Sequence, residues 1–253
     1  MTIRIAMWSG PRNLSTAMMR SFGARADTVV SDEPFYGAYL KATGDDQAMK
    51  EQVIASMDCD WHSVARTQNG APPESRPIWY QKHMAHHMEG PVGIAALTGH
   101  THAFLIRDPR RVVASYAAKR VQVRPEHLGV ARQRAYFDRE ADRLGRAPPV
   151  VDSADILADP AGTLAALCTA IGIDWDPAML HWPPGRRTTD GVWAAHWYGA
   201  VEASTGFGPP EMKPPQLDAQ AEAVAAACTP HYEYLATARL HAAPAVSPER
   251  TSA

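Results

Sequence analysis

The sequence predicts an α/β fold: a central, mostly parallel sheet flanked by helices on both faces, with a helix-rich C-terminal half. Three observations carry this. Short apolar and β-branched runs alternate with helix-forming stretches, the pattern of parallel strands joined by crossover helices. Two helix starts read Asp-Pro, at Asp108-Pro109 and Asp159-Pro160, where the aspartate fits the cap and the proline fits the first helical position. The first run, Ile3 to Trp8, enters the polar turn Ser9-Gly10-Pro11-Arg12-Asn13-Leu14-Ser15-Thr16, so a buried strand opens into a helix N-terminus.

The elements follow in order. Residues 13–24 contain Met18, Met19 and Arg20 and predict the first helix. Asp27 to Ser31 contains Thr-Val-Val and predicts a second strand, ended by Asp32-Glu33-Pro34 because proline cannot continue a ladder. Residues 46–68 carry Met49, Val53, Met57, Trp61 and Val64 near helical spacing. A loop over 69–77 leads to a strand at Ile78–Lys82, and His102–Ile106 is the clearest later strand. A helix is expected from Pro109 to about Arg120, and a more charged one over 126–144. Val150 and Val151 predict a further strand. Asp159-Pro160 starts a helix through Ala170, residues 183–192 read as a loop, and helices are expected over 193–204 and 216–240. Residues 1–241 are expected to form one domain, and residues 242–253, small and polar with two prolines, a disordered tail.

Composition narrows the function. The chain has 253 residues, enough for one sizeable α/β domain, and 45% of them are hydrophobic, ordinary for a globular protein. A formal charge of −2 offers no basic field for nucleic acid, so any anion site must be local. Cys59, Cys168 and Cys228 are widely spaced and odd in number, against a disulfide framework or a zinc site. No apolar run approaches the ~20 residues that span a bilayer, and no secretory leader pattern opens the chain. A cytoplasmic, non-membrane protein is the expectation.

In a parallel sheet, ligands bind outside the carboxyl ends of the strands. The turn at 9–16, the acids Asp32-Glu33, the residues after Lys82 and Arg107 would all meet there. A helix N-terminus offers unpaired N–H groups and a positive dipole end; Arg12, Ser15 and Thr16 would complete a cradle for phosphate or sulfate. The turn lacks Gly-Lys-Ser/Thr, which argues against an ATP-type P-loop and a nucleotide-kinase reading. Arg107 and Ser115, eight residues apart, can add a guanidinium fork and a hydroxyl; alternatively Arg107 pairs with Asp108. Arg186-Arg187, in a Gly-bracketed loop that ends near Trp193, can close over an anion or remain solvated. Trp8, Phe35, Tyr36, Tyr39, Trp79 and Tyr80 lie near strand ends, where they can stack on adenine or line an apolar acceptor pocket, or pack the core as such residues more often do; Trp193, in the loop motif, is the exception.

The chain resembles the PAPS-dependent sulfotransferases. Ser9-Gly10-Pro11-Arg12-Asn13-Leu14-Ser15-Thr16 looks like their 5′-phosphosulfate loop, with Arg12 where the family usually has lysine. Arg107-Asp-Pro-Arg-Arg-Val-Val-Ala-Ser115-Tyr116 looks like their Arg…Ser 3′-phosphate motif. Arg186-Arg187 with Gly191 and Trp193 has the spacing of the loop that closes over the same phosphate. Trp-Ser-x-Pro-Arg-x-Leu-Ser-Thr followed by Asp-Glu-Pro resembles a bacterial and plant branch. The resemblance implies a P-loop NTPase-like sulfotransferase fold, PAPS as co-substrate, adenosine 3′,5′-bisphosphate as product, a small-molecule acceptor and no metal. Sulfuryl transfer through a loose transition state places charge on the leaving phosphate, which Arg12, Ser15 and Thr16 would stabilise. The acceptor hydroxyl needs a base. The candidates are Glu33, which is preferred, and His83, which here directly follows Lys82 where other members carry Lys-x-His. Glu33 can instead form a salt bridge to Arg12. His86 and His87 read as a surface helix face, and Lys82 as a neutraliser of the transferring group. A non-catalytic nucleotide-binding protein of the same fold is the alternative.

Overall fold

A computed structural model describes residues 2–120 and 122–242. The first half runs β1 (Ile3–Ser9), α1 (Ser15–Gly23), β2 (Thr28–Asp32), α2 (Tyr36–Thr43), α3 (Lys50–Ser56), α4 (Trp61–Asn69), β3 (Ile78–Met84), β4 (His100–Ile106) and α5 (Pro109–Ala117). The second half runs α6 (Pro125–Leu128), α7 (Val130–Leu144), β5 (Val150–Asp152), α8 (Ser153–Ala158), α9 (Pro160–Ile171), α10 (Ala194–Trp197), α11 (Gly199–Glu202) and α12 (Ala219–Ala236).

All strand pairs are parallel, in the order β2-β3-β1-β4-β5. β1 lies at the centre because its apolar residues Ile5 to Trp8 are fully buried and need cover on both faces. One face carries α1, where Phe22 stacks on Tyr80 of β3 at 4.3 Å. The other carries α7, where Tyr136 meets Trp8 edge-on at 5.0 Å, and α12, where Tyr234 meets Phe137. The chain crosses from β3 over β1 to β4, so the carboxyl end of β1 is the topological switch point.

Asp108 and Asp159 cap their helices as the sequence predicts, accepting from Arg110 N at 2.8 Å and Gly162 N at 2.9 Å. The expected helix over 46–68 is two helices, because Met57 is extended and Asp60 starts α4 afresh, accepting from Ser63 N at 2.6 Å. The helix over 126–144 breaks at Gly129, whose φ of +68° and close approach to His86 N admit no side chain. Two helices are not expected from the sequence. α2 follows Asp-Glu-Pro without a side-chain cap, and α8 leaves β5 with no intervening loop, capped by Asp152, which accepts from Ala154 N at 2.8 Å. The expected disordered tail, Ala242 apart, lies outside the described residues.

Candidate active site

The turn after β1 is fixed by close packing and by positive backbone angles. Gly10 is required by packing: a Cβ there would stand 2.3 Å from Leu128 O. Arg12 and Leu14 hold positive φ angles of 59° and 63°. Such backbone costs about 1–3 kcal/mol per residue and persists where surrounding structure enforces it. Asn13 supplies that enforcement, since its Nδ2 donates to Leu105 O at 3.2 Å and its carbonyl accepts from Ser153 Oγ at 3.0 Å. Leu14, at the helix cap, has no side-chain oxygen, so the first-turn N–H groups of α1 stay free of a cap.

Two arginines distant in sequence converge on this turn. Arg12 Nε donates to Ser115 Oγ on α5 at 2.8 Å. Arg107, at the carboxyl end of β4, donates through Nη1 to the carbonyl of Arg12. Burial lowers the Arg12 pKa, and the Arg107 charge lowers it further. Like charges brought together in a half-buried cleft call for an anion between them. One protein carboxylate answers: Glu211 bonds Arg107 Nη2 and lies 3.5 Å from Arg111 Nη1. Arg107 therefore pairs with Glu211, not with Asp108, which is occupied as the α5 cap.

Beside this cradle lies a buried acid–base cluster. Asp32 and Lys82 are register partners across β2 and β3, which fixes them side by side. Lys82 Nζ donates to Asp32 Oδ1 at 3.0 Å, Glu33 Oε1 at 2.6 Å and Tyr198 Oη at 2.5 Å. An ammonium has three protons, and all three are engaged. The neutralising role expected for Lys82 therefore lacks a free donor; the residue holds two carboxylates in place. Burial works against its charge, but Asp32 and Glu33 outweigh burial and raise its pKa. Burial, together with the Glu33 charge, raises Asp32 despite the neighbouring ammonium. Tyr198 donates to Asp32 at 2.8 Å and accepts from Trp193 Nε1 at 3.1 Å; burial and the two carboxylates raise it far above an ordinary phenol.

Glu33 has a φ of +47°, and its N–H donates to Lys82 O at 3.0 Å. Its Oε1 is taken by Lys82, while its Oε2 makes no hydrogen bond among the described residues and lies 3.8 Å from His87 Nδ1. The salt bridge to Arg12 that the sequence allowed is not formed.

A cleft of about 390 Å³ brings together residues 11–17 with Glu33, Lys82, Arg107, Ser115 and Trp193. Four expected residues do not line it: Gly10, pressed against Leu128 O, and three others. His83 points to the opposite sheet face, stacked on Trp8 at 4.7 Å, because successive strand residues alternate sides. The shift from Lys-x-His to Lys-His thus removes the imidazole from the cleft. Arg186 is exposed and reaches only Gly191 O at 3.4 Å; Arg187 bonds carbonyls of its own loop, including Gly185 O at 3.0 Å. That loop is anchored elsewhere, by Asp190 against Arg20 of α1 at 2.6 Å in a buried ion pair.

His86 and His87, expected on a surface, are instead buried and line the cleft. Burial is the main force lowering both pKa values far below the usual imidazole range. Tyr36, one of the aromatics near strand ends, lines the cleft, and so does Tyr198, which no local pattern marks.

The sulfotransferase domain family matches residues 3–239. Two proteins of Arabidopsis thaliana named branched-chain-amino-acid aminotransferase-like protein 1 and 2 are 34% identical over 213 residues and 31% identical over 232. These alignments cover 83% and 91% of this chain but 37% and 41% of the relatives, so the chain spans about two-fifths of their length. The sulfotransferase domain from the curacin biosynthetic pathway is 14% identical, with a TM-score of 0.53 over 90% of this chain and 98% of its own. A sulfotransferase from Alicyclobacillus acidocaldarius is 11% identical, with a TM-score of 0.54 over 94% and 95%. That likeness is one of fold, the P-loop-like α/β architecture. By the match over nearly its whole length, the chain belongs to the sulfotransferase domain family.

Proposed function

We propose that the protein transfers a sulfuryl group from PAPS to a hydroxyl of a small-molecule acceptor. The observation that carries this is the meeting of Arg12, Arg107 and Ser115 at the uncapped start of α1, in one cleft with a carboxylate that has an unengaged oxygen. Arg107 and Ser115 would take the 3′-phosphate. Residues 11–17 would take the 5′-phosphosulfate, with Arg12 and the α1 N–H groups aimed at the charge that develops on leaving. Glu211 on Arg107 supports this assignment, since a carboxylate is the protein's own substitute for a phosphate oxygen.

In the transfer step the acceptor oxygen attacks sulfur and a new S–O bond forms. The bond from sulfur to the bridging phosphate oxygen breaks, and its electron pair leaves on adenosine 3′,5′-bisphosphate. The acceptor proton goes to Glu33 Oε2. Lys82, bonded to Oε1, keeps that carboxylate oriented, and Asp32 and Tyr198 keep Lys82 oriented.

The test combines binding with turnover. Adenosine 3′,5′-bisphosphate should raise the melting temperature, while AMP and ATP with magnesium should not. Sulfate-labelled PAPS with a panel of hydroxylated acceptors should give labelled ester. Bisphosphate binding without transfer to any acceptor would favour a non-catalytic nucleotide-binding protein, and stabilisation by ATP alone would overturn the donor assignment.

A further inference from the structure

One half of the Gln47 amide is anchored and the other half is not. The residue is 8% exposed and stands among those that line the cleft. Its Nε2 donates to Asp45 Oδ2 at 2.9 Å and to Tyr116 Oη at 3.4 Å. Its carbonyl oxygen takes no hydrogen bond from the described residues, and it is not sealed. The side-chain atoms closed to solvent without a partner include Tyr80 Oη and Nδ1 of both His86 and His87, but not Gln47 Oε1. Buried polar groups nearly always find a partner, so an unfilled hydrogen-bond acceptor on a cavity wall points to a ligand that fills it.

The amide cannot turn round. Asp45 accepts from Arg120 Nη2 at 2.5 Å, from Tyr39 Oη at 2.7 Å and from Gln47. Burial opposes the Asp45 charge, but these bonds outweigh it and hold the carboxyl well below its usual range. An ionised carboxylate only accepts. A turned amide would set the Gln47 carbonyl against that carboxylate. The backbone holds the residue as well: Gln47 N donates to Asp45 O at 3.0 Å, and Gln47 O accepts from Lys50 N at 3.2 Å. Gln47 Oε1 is therefore a fixed hydrogen-bond acceptor. Tyr36, 3% exposed, also lines the cleft, but a phenol donates or accepts as its ligand requires and so does not select.

Selection by a fixed acceptor has one sign. It favours a ligand atom that carries a hydrogen over an ether oxygen or a methyl group, either of which leaves the carbonyl unpaired. The hydroxyl that is sulfated has a single proton, and that proton goes to Glu33. The hydrogen that reaches Gln47 therefore belongs to a second group on the same molecule. The rest of this wall suits an apolar ring: Tyr36 lies flat on His87 at 4.4 Å, and Tyr116 packs on Trp197 at 5.9 Å.

We propose that Gln47 selects the molecule to be sulfated: a ring compound that carries, besides the reacting hydroxyl, a second O–H or N–H that donates to Gln47 Oε1. This deepens the sulfotransferase reading above and rests on it for the identity of the first hydroxyl. Hydroxyl and amine share the chemistry that Gln47 reads.

The test measures dissociation constants on the full chain by NMR titration, with and without adenosine 3′,5′-bisphosphate. Resorcinol and meta-aminophenol are set against meta-cresol, and hydroquinone and para-aminophenol against para-cresol. At one ring position or the other, a probe with the second donor should bind about five- to tenfold tighter than its cresol, the effect of one net hydrogen bond. Which probe gains tells a hydroxyl from an amine. The methoxyphenols, with an oxygen but no hydrogen at that place, should show no gain. Gln47→Met, close in volume, should erase the gain while the cresols still bind; Gln47→Leu repeats the comparison should the methionine variant melt early. No gain for any donor probe on the unaltered chain, an equal gain for a methoxyphenol, or a gain that survives in the folded variant overturns the proposal. Failure of the bisphosphate to bind would strike the sulfuryl-donor assignment instead, and the probe comparison made without it would still decide the role of Gln47.

Discussion

Lys82 Nζ lies 2.6 Å from Glu33 Oε1, whereas Glu33 Oε2 takes no hydrogen bond from the described residues. The carboxylate is divided into an anchored oxygen and an available one. That division lets a residue on a strained backbone both hold position and accept a proton.

Glu33→Gln keeps the shape and the anchor but loses the base. Turnover should fall about 10²- to 10⁴-fold while bisphosphate affinity stays within about threefold. His83→Gln, on the far face of the sheet, should leave turnover within about threefold once the folded fraction is corrected for. Labelled-ester assays beside calorimetry read both. Full activity in Glu33→Gln, or collapse in folded His83→Gln, would reverse the choice of base.

Arg107→Ala removes charge-assisted bonds from the bisphosphate. The dissociation constant should rise about 10- to 100-fold. Glu211→Gln frees Arg107 and Arg111 from a competing anion and should tighten binding a few-fold, more so at low salt. Calorimetry at two ionic strengths checks both. Unchanged affinity in Arg107→Ala would remove the phosphate from that arginine.

Lys82→Met leaves Asp32 and Glu33 buried without their shared cation. Breaking such a pair from one side costs about 3–5 kcal/mol. Urea unfolding should show that loss, with bisphosphate restoring little of it. A variant as stable as the parent would mean that the ammonium is not what holds the two acids.

Acid should weaken the protein through its buried histidines. Burial pushes His100 and His102 down to about 4, and lowers His83, His86 and His87 further from their usual range. The unfolded chain titrates these rings near 6.5, so below that pH it binds more protons than the folded chain. Stability is therefore fully present above about pH 6.5 and declines toward pH 4, by on the order of 3 kcal/mol for each of His100 and His102. Asp32 and Asp152, whose pKa values burial raises, oppose part of this decline. His102 Nδ1 accepts from Trp8 Nε1 at 3.0 Å, a bond that protonation at that nitrogen abolishes. Urea midpoints at pH 7.5 and 5.0 should differ, with the lower one at pH 5.0.

Most of the sheet was legible. Ile3–Trp8, the Thr-Val-Val run, Ile78–Lys82, His102–Ile106 and Val150-Val151 all fall on strands, because short apolar runs bounded by Asp, Pro and Gly have few other uses. The gathering of Arg12, Ser15, Thr16, Arg107 and Ser115 in one cleft was legible too, since they lie on strand ends, or on the helices that leave them, which parallel topology brings together. Arg186 and Arg187 misled because spacing says nothing about which way a loop side chain turns, and here loop carbonyls capture Arg187. His86 and His87 misled because polarity suggested exposure, while Tyr36 and Tyr39 stack on His87 and bury it.

By itself the sequence determined the strand and helix alternation and the two arginine-bearing turns, because local periodicity and caps are written in neighbouring residues. Only the tertiary structure decided which carboxylate oxygen is free, that Lys82 is spent, and that Tyr198 completes its shell from 116 positions away. The physical reason is that hydrogen-bond assignment depends on distances between side chains brought together by long-range packing, and no local pattern encodes those distances.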